Sequence, residues 1–195
     1  EPEESFGEGP ALRMNTFARL IERDAAFLSF ISANPDLLAC VDPDRVAKAQ
    51  KATKSALAGY YEGARTDRFS WSILAVPSQP WADKVFPEAA GDERMNLLWN
   101  AIFQATRVNL PDPVAAWNDH LDKLHEKSDY LNGKRYRALH YKAPGTDLTV
   151  ELADDHLWVS GDSVNAKGTK FVANMPTEEV FTAPKRNGVN GIVKS

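Results

Sequence analysis

The amino-acid sequence predicts an α/β fold: part of an α/β domain, followed by the β-rich start of a second domain. Two short apolar runs, residues 25–31 and 69–76, are typical of strands that are buried on both faces. A helical pattern lies between them, and the order strand–helix–strand predicts a parallel pair joined by a right-handed crossover. From residue 134 onward the helical pattern gives way to short alternating segments, which indicate antiparallel strands.

Two helix starts are marked by an aspartate followed by a proline, at Asp42-Pro43 and at Asp112-Pro113. An aspartate at the N-cap accepts a hydrogen bond from the first turn, and a proline at the first helical position has no N–H to leave unpaired. Two more helices are predicted from apolar residues at three- and four-residue steps. One covers residues 10–23, and the other follows Asp92, which we predict as its cap.

The predicted domain organisation follows this change of pattern. Residues 1–112 are assigned to an N-terminal α/β domain, residues 113–133 to a connecting helix, and residues 134–195 to the β-rich start of the next domain. In that last segment, apolar residues at 148, 150 and 152 alternate with polar ones, as in a strand with one buried face. Shorter strands are expected around three further segments: residues 137–142, 156–160 and 170–173.

Composition and charge exclude several classes of protein. The chain has 195 residues, 43% of them hydrophobic and 26% charged, which is enough apolar material for a buried core. Its net charge of -4 provides no broad cationic field, so we expect neither nucleic acid nor an anionic membrane as a partner. The single cysteine, Cys40, cannot form an internal disulfide, and this composition suits a reducing cytoplasm.

The chain is expected to be an internal piece of a longer protein. It begins Glu-Pro-Glu-Glu, without an initiator methionine, a basic segment or an apolar segment, so a signal peptide is not predicted. Its last residues resemble a strand or hairpin that is cut in progress. No run approaches the roughly 18 apolar residues that a membrane-spanning helix needs.

Few residues carry a motif for chemistry. The histidines His120, His125, His140 and His156 lack the spacing of a zinc site, and the first two are interpreted as polar residues on a helix surface. Cys40 has apolar neighbours and no nearby cation, so we predict a buried structural thiol. The five tryptophans are expected to fill cores, and neither a nucleophile elbow nor a nucleotide-binding loop is present in the sequence.

The adjacent glutamates Glu178 and Glu179 are the strongest candidates for a site. They lie between a proline and an apolar pair, where a strand is predicted, although glutamate has poor strand propensity and like charges repel. Strand alternation would place them on opposite faces, so only one could point toward the core and would then need a partner such as a divalent metal. The residues alone leave open a second interpretation, an exposed edge strand with protective charges.

Several long motifs, in order, resemble the thermophilic-type metallo-aminopeptidases, the family that includes aminopeptidases S, T and II. The segment Pro-Thr-Glu-Glu-Val-Phe-Thr-Ala-Pro, residues 176–184, is similar to a signature of that family. The resemblance extends across nearly the whole chain. Its other segments are residues 99–108, 112–117, 144–150, 156–158 and 165–168.

The resemblance implies a cytoplasmic exopeptidase that removes N-terminal residues from peptides with a pair of divalent metals, zinc or cobalt. It also implies a homodimer whose subunits have an N-terminal α/β domain and a C-terminal catalytic domain. By motif position, the first metal ligand corresponds to Glu179, and no ligand role is carried over to Glu178. The other ligands of the family are expected beyond residue 195, and none of the four histidines matches one.

The sequence therefore predicts a fragment of a metal-dependent aminopeptidase that supplies one metal ligand, Glu179. Two alternatives belong to other classes. The first is a non-catalytic scaffold or dimerisation module that retains the fold. The second is a small-molecule-binding α/β protein without peptidase ancestry, which the ordered motifs disfavour.

Overall fold

The computed structural model describes residues 2–194, and within them helices fill most of the first two thirds and strands the last third. A 3-10 turn at Glu3–Ser5 precedes the first helix. The α-helices are α1 (Glu8–Glu22), α2 (Pro43–Ala56), α3 (Ala58–Arg65), α4 (Gln79–Val85), α5 (Gly91–Ala105) and α6 (Pro113–Lys134). The strands are β1 (Phe27–Ile31), β2 (Trp71–Ala75), β3 (Ala138–Ala143), β4 (Thr146–Leu152), β5 (Val159–Ser160), β6 (Ser163–Val164), β7 (Lys170–Phe171), β8 (Asn174–Met175), β9 (Val180–Phe181) and β10 (Pro184–Ile192).

These elements form two compact units, each built from two stretches of chain. The first unit comprises Glu1–Pro111 and Asp162–Thr177, and the second comprises Asp112–Gly161 and Glu178–Ser195. The α/β class predicted from the sequence is confirmed by this mixture of helices and strands. The domain boundaries proposed from the sequence concern a longer protein and stay a prediction.

A parallel sheet of order β1-β2-β8 is the centre of the first unit. Phe27 pairs with Trp71 and Ile31 with Ala75, so the predicted parallel pairing of the two apolar runs is confirmed. Strand β8 joins the other side of β2, where Ile73 aligns with Asn174. The central strand β2 is therefore paired on both sides, and β1 is an edge strand.

The late stretch of the first unit is attached to it by hydrogen bonds as well as by β8. The Asn165 side chain donates from Nδ2 to Ser70 Oγ at 2.9 Å. Beside it, the Ala166 amide donates to the Asp67 carbonyl at 2.8 Å. These bonds fix residues 162–177 to the same unit as the parallel sheet, although α6 and the β3–β4 hairpin come earlier in the chain.

Strand β1 is buried on one face only, which contradicts the prediction of burial on both. The Phe27 ring lies 5.2 Å from the Phe17 ring of α1 and 4.8 Å from the Phe69 ring, measured between centroids. Leu28 and Phe30, on the opposite face, are 57% and 64% exposed. Helices cover the first face, whereas the second face is open within residues 2–194. An apolar strand sequence does not specify how many layers cover it.

The predictions of where helices begin are confirmed at two positions and wrong at a third. Asp42 accepts a hydrogen bond from the Arg45 amide at 3.0 Å, and Asp112 accepts one from the Ala115 amide at 2.9 Å. Helix α5 instead begins at Gly91, with Ala90 as its N-cap and no side-chain cap. Asp92 lies inside the first turn, where its negative charge interacts favourably with the positive end of the helix dipole.

Cys40 is exposed, so the prediction of a buried structural thiol is wrong. It ends a run of turns between β1 and α2, in which the Ala39 amide donates to the Asp36 carbonyl. Leu37 and Leu38 in the same run are exposed as well. The apolar neighbours of Cys40 therefore do not indicate a core position.

The second unit combines the long helix α6 with an antiparallel sheet of order β10-β4-β3. The predicted period of two is confirmed in β4, where Asp147 and Glu151 are exposed and Leu152 is buried. Gly145, with φ +80, turns β3 into β4 in a backbone conformation that favours glycine. No helix among residues 2–194 is long and apolar enough to span a bilayer.

Candidate metal centre

Glu178 and Glu179 are exposed and lie in the loop between β8 and β9. Residues 177–179 have no strand structure, so the prediction that both glutamates lie in a strand, one on each face, is wrong. The alternative of an edge strand with protective charges fails for the same reason. Pro176 has no N–H for a strand ladder, and the strands on either side of the loop pair with different partners. Strand pairing therefore stops before the two glutamates and resumes after them.

The end of this loop is fixed by strand β9, which pairs with β5 in antiparallel register. Phe181 aligns with Val159, and Val180 aligns with Ser160. Thr182 extends this contact, since its Oγ1 donates to the Leu157 carbonyl at 2.7 Å. Both strands contact helix α6. The position of Glu179, which directly precedes β9, thus depends on how β5 is held against α6.

Asn132 on α6 holds the segment that leads into β5. Its Nδ2 donates to the Trp158 carbonyl at 2.9 Å, and its Oδ1 accepts from the Trp158 amide at 2.8 Å. One turn earlier, Ser128 accepts a hydrogen bond from Ser160 Oγ at 3.3 Å, and both serines are buried. These three bonds satisfy polar groups that would otherwise be buried without partners, and they fix β5 to one face of α6.

Gly161 directly follows β5 and lies close to the same face of α6. Its φ is +70, and a Cβ built on it would lie 2.7 Å from Leu121 Cδ2. A side chain at this position would therefore have a strained backbone, and the Leu121 side chain of α6 would have to move aside. Glycine allows the chain to leave β5 in close contact with α6.

Glu178 contacts His120, which lies on α6 three residues after Trp117. His120 Nε2 is 3.4 Å from Glu178 Oε2, and the two side chains are 13% and 57% exposed. The His120 ring packs edge-on against Trp117, with ring centroids 5.7 Å apart. The interpretation of His120 as a polar surface residue is therefore wrong, because its side chain is largely covered and has a carboxylate neighbour.

Glu179 differs from Glu178 in its surroundings. Its carboxylate is exposed and has no ion pair or side-chain hydrogen bond to any other residue of the described range 2–194. A carboxylate oxygen is a ligand that divalent metals accept, and one carboxylate supplies at most two such oxygens. Glu179 thus fits a divalent cation as one ligand among several. Within residues 2–194, no three His, Cys, Asp or Glu side chains are grouped so that they could hold a metal.

The other histidines have separate environments. His125 lies on α6, where its backbone carbonyl accepts a hydrogen bond from Ser128 Oγ at 2.9 Å. His140 is exposed, with Nε2 at 2.7 Å from Asp147 Oδ1 across the β3–β4 hairpin. His156 Nδ1 lies 2.7 Å from the Ala153 carbonyl, which assigns the ring proton to Nδ1. The ring contacts of His140 and His156 described here lie within their own hairpin or turn.

Sequence reasoning missed the contact of His120 with the loop and the bonds of Asn132 to the segment before β5. Both residues lie on the side of α6 that also carries the buried residues Trp117, Leu124 and Ser128. A polar side chain within an apolar helical stripe was the available signal, because such a group needs a partner when it is buried. The partners themselves come from distant parts of the sequence and leave no local pattern.

Comparison with known proteins identifies the family. The profile described as thermophilic metalloprotease (M29) matches residues 1–195. Aminopeptidase 2 of Geobacillus stearothermophilus is 48% identical over 194 residues, which cover 100% of this chain and 47% of the relative. Aminopeptidase T of Thermus thermophilus is 42% identical over 194 residues, which cover 100% of this chain and 48% of the relative.

A solved structure agrees in fold as well as in sequence. Wild-type AmpT from Thermus thermophilus matches with a TM-score of 0.87 and 42% identity over 97% of this chain and 46% of that chain. The chain spans about half the length of the curated relatives it matches. With a profile match over its whole length and relatives at 42% and 48% identity, the chain belongs to the thermophilic metalloprotease family M29.

Proposed function

We propose that the full-length protein is a metal-dependent aminopeptidase that hydrolyses N-terminal residues from peptides with two divalent metal ions, zinc or cobalt. Glu179 is proposed as one of the metal ligands. The single observation that carries the proposal is the family match across the entire chain, which includes the Pro-Thr-Glu-Glu segment beginning at residue 176. The exposure of the Glu179 carboxylate is compatible with a ligand role.

The chemistry of the proposed site divides between the metals and the protein. A pair of divalent metals, held in part by Glu179, would supply Lewis acidity toward the scissile carbonyl and would lower the pKa of bound water toward neutrality. Glu179 contributes oxygen ligands and negative charge that offsets part of the charge of the cations. One carboxylate in water holds zinc weakly, so the proposed site requires further ligands that are preorganised together with it.

We also propose that the protein acts in the cytoplasm as a homodimer, as the resemblance to its family implies. The composition supports the cytoplasm, because the one cysteine cannot form an internal disulfide. The homodimer rests on the resemblance alone. Peptides are the proposed substrates, and the relatives' names, aminopeptidase 2 and aminopeptidase T, support this class.

The first prediction tests the proposed ligand in the full-length protein. Glu179→Ala should abolish release of N-terminal residues from a peptide at saturating zinc or cobalt, because a ligand is lost from the metal site. It should also weaken metal binding by more than about 100-fold, beyond the effect typical of groups that only support a ligand. Metal content after dialysis, titration of the metal-free protein and peptide hydrolysis together measure the effect.

Glu178→Ala is the matched control, since it removes the same side chain from the neighbouring residue. We expect a milder loss, of about tenfold in metal affinity. Wild-type turnover and metal content in Glu179→Ala would refute the ligand assignment. Absence of turnover in the wild-type protein at saturating metal would favour a non-catalytic scaffold. A larger loss in Glu178→Ala than in Glu179→Ala would transfer the ligand role to Glu178.

A further inference from the structure

We propose that His120 is a positioning residue for the metal site: it holds the carboxylate of Glu178 and thereby fixes the loop from which Glu179 extends. The inference rests on the proposed function, because it takes Glu179 as a metal ligand. His120 itself is assigned no contact with metal or substrate.

The contact between His120 and Glu178 is the first support. The 3.4 Å between Nε2 and Oε2 is within the distance of an ion pair or a long hydrogen bond. An exposed pair of this kind contributes little, but the His120 side chain is only 13% exposed. Because fewer waters compete for a covered donor, the His120 end of the contact is less easily replaced by solvent than that of a surface pair.

The second support is the way in which His120 is held by its helix and by the Trp117 ring. His120 lies on a helix of 22 residues, and its ring packs against the buried indole of Trp117. The same helix is bonded through Asn132 and Ser128 to the segment around β5, which pairs with β9 directly after the loop. The loop is therefore attached to α6 both through β9 and through Glu178.

Because a peptide bond joins Glu178 to Glu179, a contact that holds Glu178 also restricts the orientation of Glu179. Adjacent residues share one peptide plane, so holding the Glu178 side chain narrows the backbone angles that set the direction of the next Cα–Cβ bond. A ligand that is already oriented loses less conformational freedom when it binds metal. Groups that orient a ligand in this way typically change metal affinity by about 10–100-fold when they are removed.

The experiment measures Co²⁺ binding to the metal-free full-length protein, without substrate, by calorimetry and by visible absorption. His120→Ala should weaken binding by about tenfold and alter the cobalt spectrum, because the coordination geometry loosens. His120→Gln should recover most of the affinity, since its amide nitrogen can replace Nε2 as the donor to Glu178. Catalytic turnover is a secondary measurement, and a fall in kcat/KM should accompany the loss of affinity.

A double-mutant cycle isolates the proposed route. In a Glu178→Ala background, His120→Ala should change the Co²⁺ affinity by less than about twofold, because the His120–Glu178 contact is already gone. His140→Gln is the matched control: it alters a histidine–aspartate pair in the same unit, at the β3–β4 hairpin, and should leave Co²⁺ affinity unchanged.

Each outcome decides for or against the proposal. Equal losses from His120→Ala in the wild-type and Glu178→Ala backgrounds would overturn it, as would a variant that unfolds at lower temperature but binds Co²⁺ normally. If His120→Ala fails to fold, the same comparison is made with His120→Gln and His120→Asn, which differ in donor reach. If Glu179→Ala loses Co²⁺ affinity and the His120 variants do not, the positioning role alone is overturned. If Glu179→Ala binds Co²⁺ normally, the ligand role of Glu179 in the proposed function is overturned.

Discussion

At two glycines of the second unit, replacing glycine with alanine is expected to have opposite effects on stability. Gly161, with φ +70, has Leu121 Cδ2 at 2.7 Å from the position of a Cβ. Gly133 lies within α6, and nothing except the helix's own backbone lies within 4 Å of its Cβ position. The first position needs glycine, whereas the second tolerates any residue that favours a helix.

The second prediction therefore has opposite signs at the two glycines. Gly161→Ala should lower the free energy of unfolding by about 1–2 kcal/mol from the left-handed backbone alone, with a further cost from the contact with Leu121. Gly133→Ala should raise it by about 0.4–1 kcal/mol, because alanine restricts the unfolded chain without strain in the helix. Thermal and denaturant unfolding of both variants measure this difference, and equal effects would contradict it.

Glu178 and Glu179 are adjacent and chemically identical, but their surroundings differ in a way that the sequence does not reveal. The sequence motif singled out Glu178 and Glu179, but predicted for them a strand that the structure does not form. Their difference arises from His120, which contacts one of them and lies far from both along the chain. Such a contact depends on how α6 packs, and no local residue pattern encodes it.

Helix α6 is the element on which the candidate site depends. It contacts both β5 and β9, and Asn132 is its best-defined attachment to the chain around Trp158. Trp158 is buried, so its backbone N–H and carbonyl have few alternatives to the Asn132 side chain. The loop with Glu179 is thus positioned by an asparagine that contacts neither glutamate directly in the described bonds of residues 2–194.

The third prediction concerns this asparagine. Asn132→Ala should lower the free energy of unfolding by about 2 kcal/mol or more, since two buried backbone groups lose their partner. Asn118→Ala, at an exposed position on the same helix, should change it by less than about 0.5 kcal/mol. If the two variants unfold at the same denaturant concentration, the Asn132 bonds do not hold the second unit together.

Helix starts were the elements best predicted from sequence, because capping is local chemistry. Asp42 and Asp112 each accept the expected bond from an amide three residues later. The start of α5 was missed, since Ala90 caps it without a side-chain bond and leaves no signal. The pairing of β1 with β2 was also predicted correctly. The predicted burial of both faces of β1 was wrong, because burial depends on which other elements cover each face.

At the scale of a whole unit, an aromatic cluster makes stability depend on pH. The Tyr60 ring packs against Phe17, Phe27 and Phe69, with centroids 4.9–5.5 Å apart. Burial raises the pKa of Tyr60 above its ordinary value, and a hydrogen bond with Ser29 offsets part of that increase. The folded first unit therefore keeps the Tyr60 proton at a pH where the unfolded chain releases it.

The fourth prediction follows from the sign of that shift. The contribution of Tyr60 to stability is fully present below the pKa of an unfolded tyrosine, about 10, and is lost as pH rises toward the higher folded value. Phenylalanine at position 60 has no proton to lose. Above pH ~10 the Tm of Tyr60→Phe should therefore fall less steeply with pH than the Tm of the wild type. Unfolding scans from pH 8 upward measure it, with pH 8 as the internal reference; a constant difference would contradict the prediction.

The parallel sheet of the first unit cannot be complete until strand β8 has been synthesised. Strand β8 pairs with β2, and about 100 residues of chain separate the paired positions Ile73 and Asn174. A ribosome that adds roughly 5–20 residues per second needs about 5–20 s to synthesise that interval. During this time one side of β2 has no partner strand, and its unpaired backbone can associate with other nascent chains.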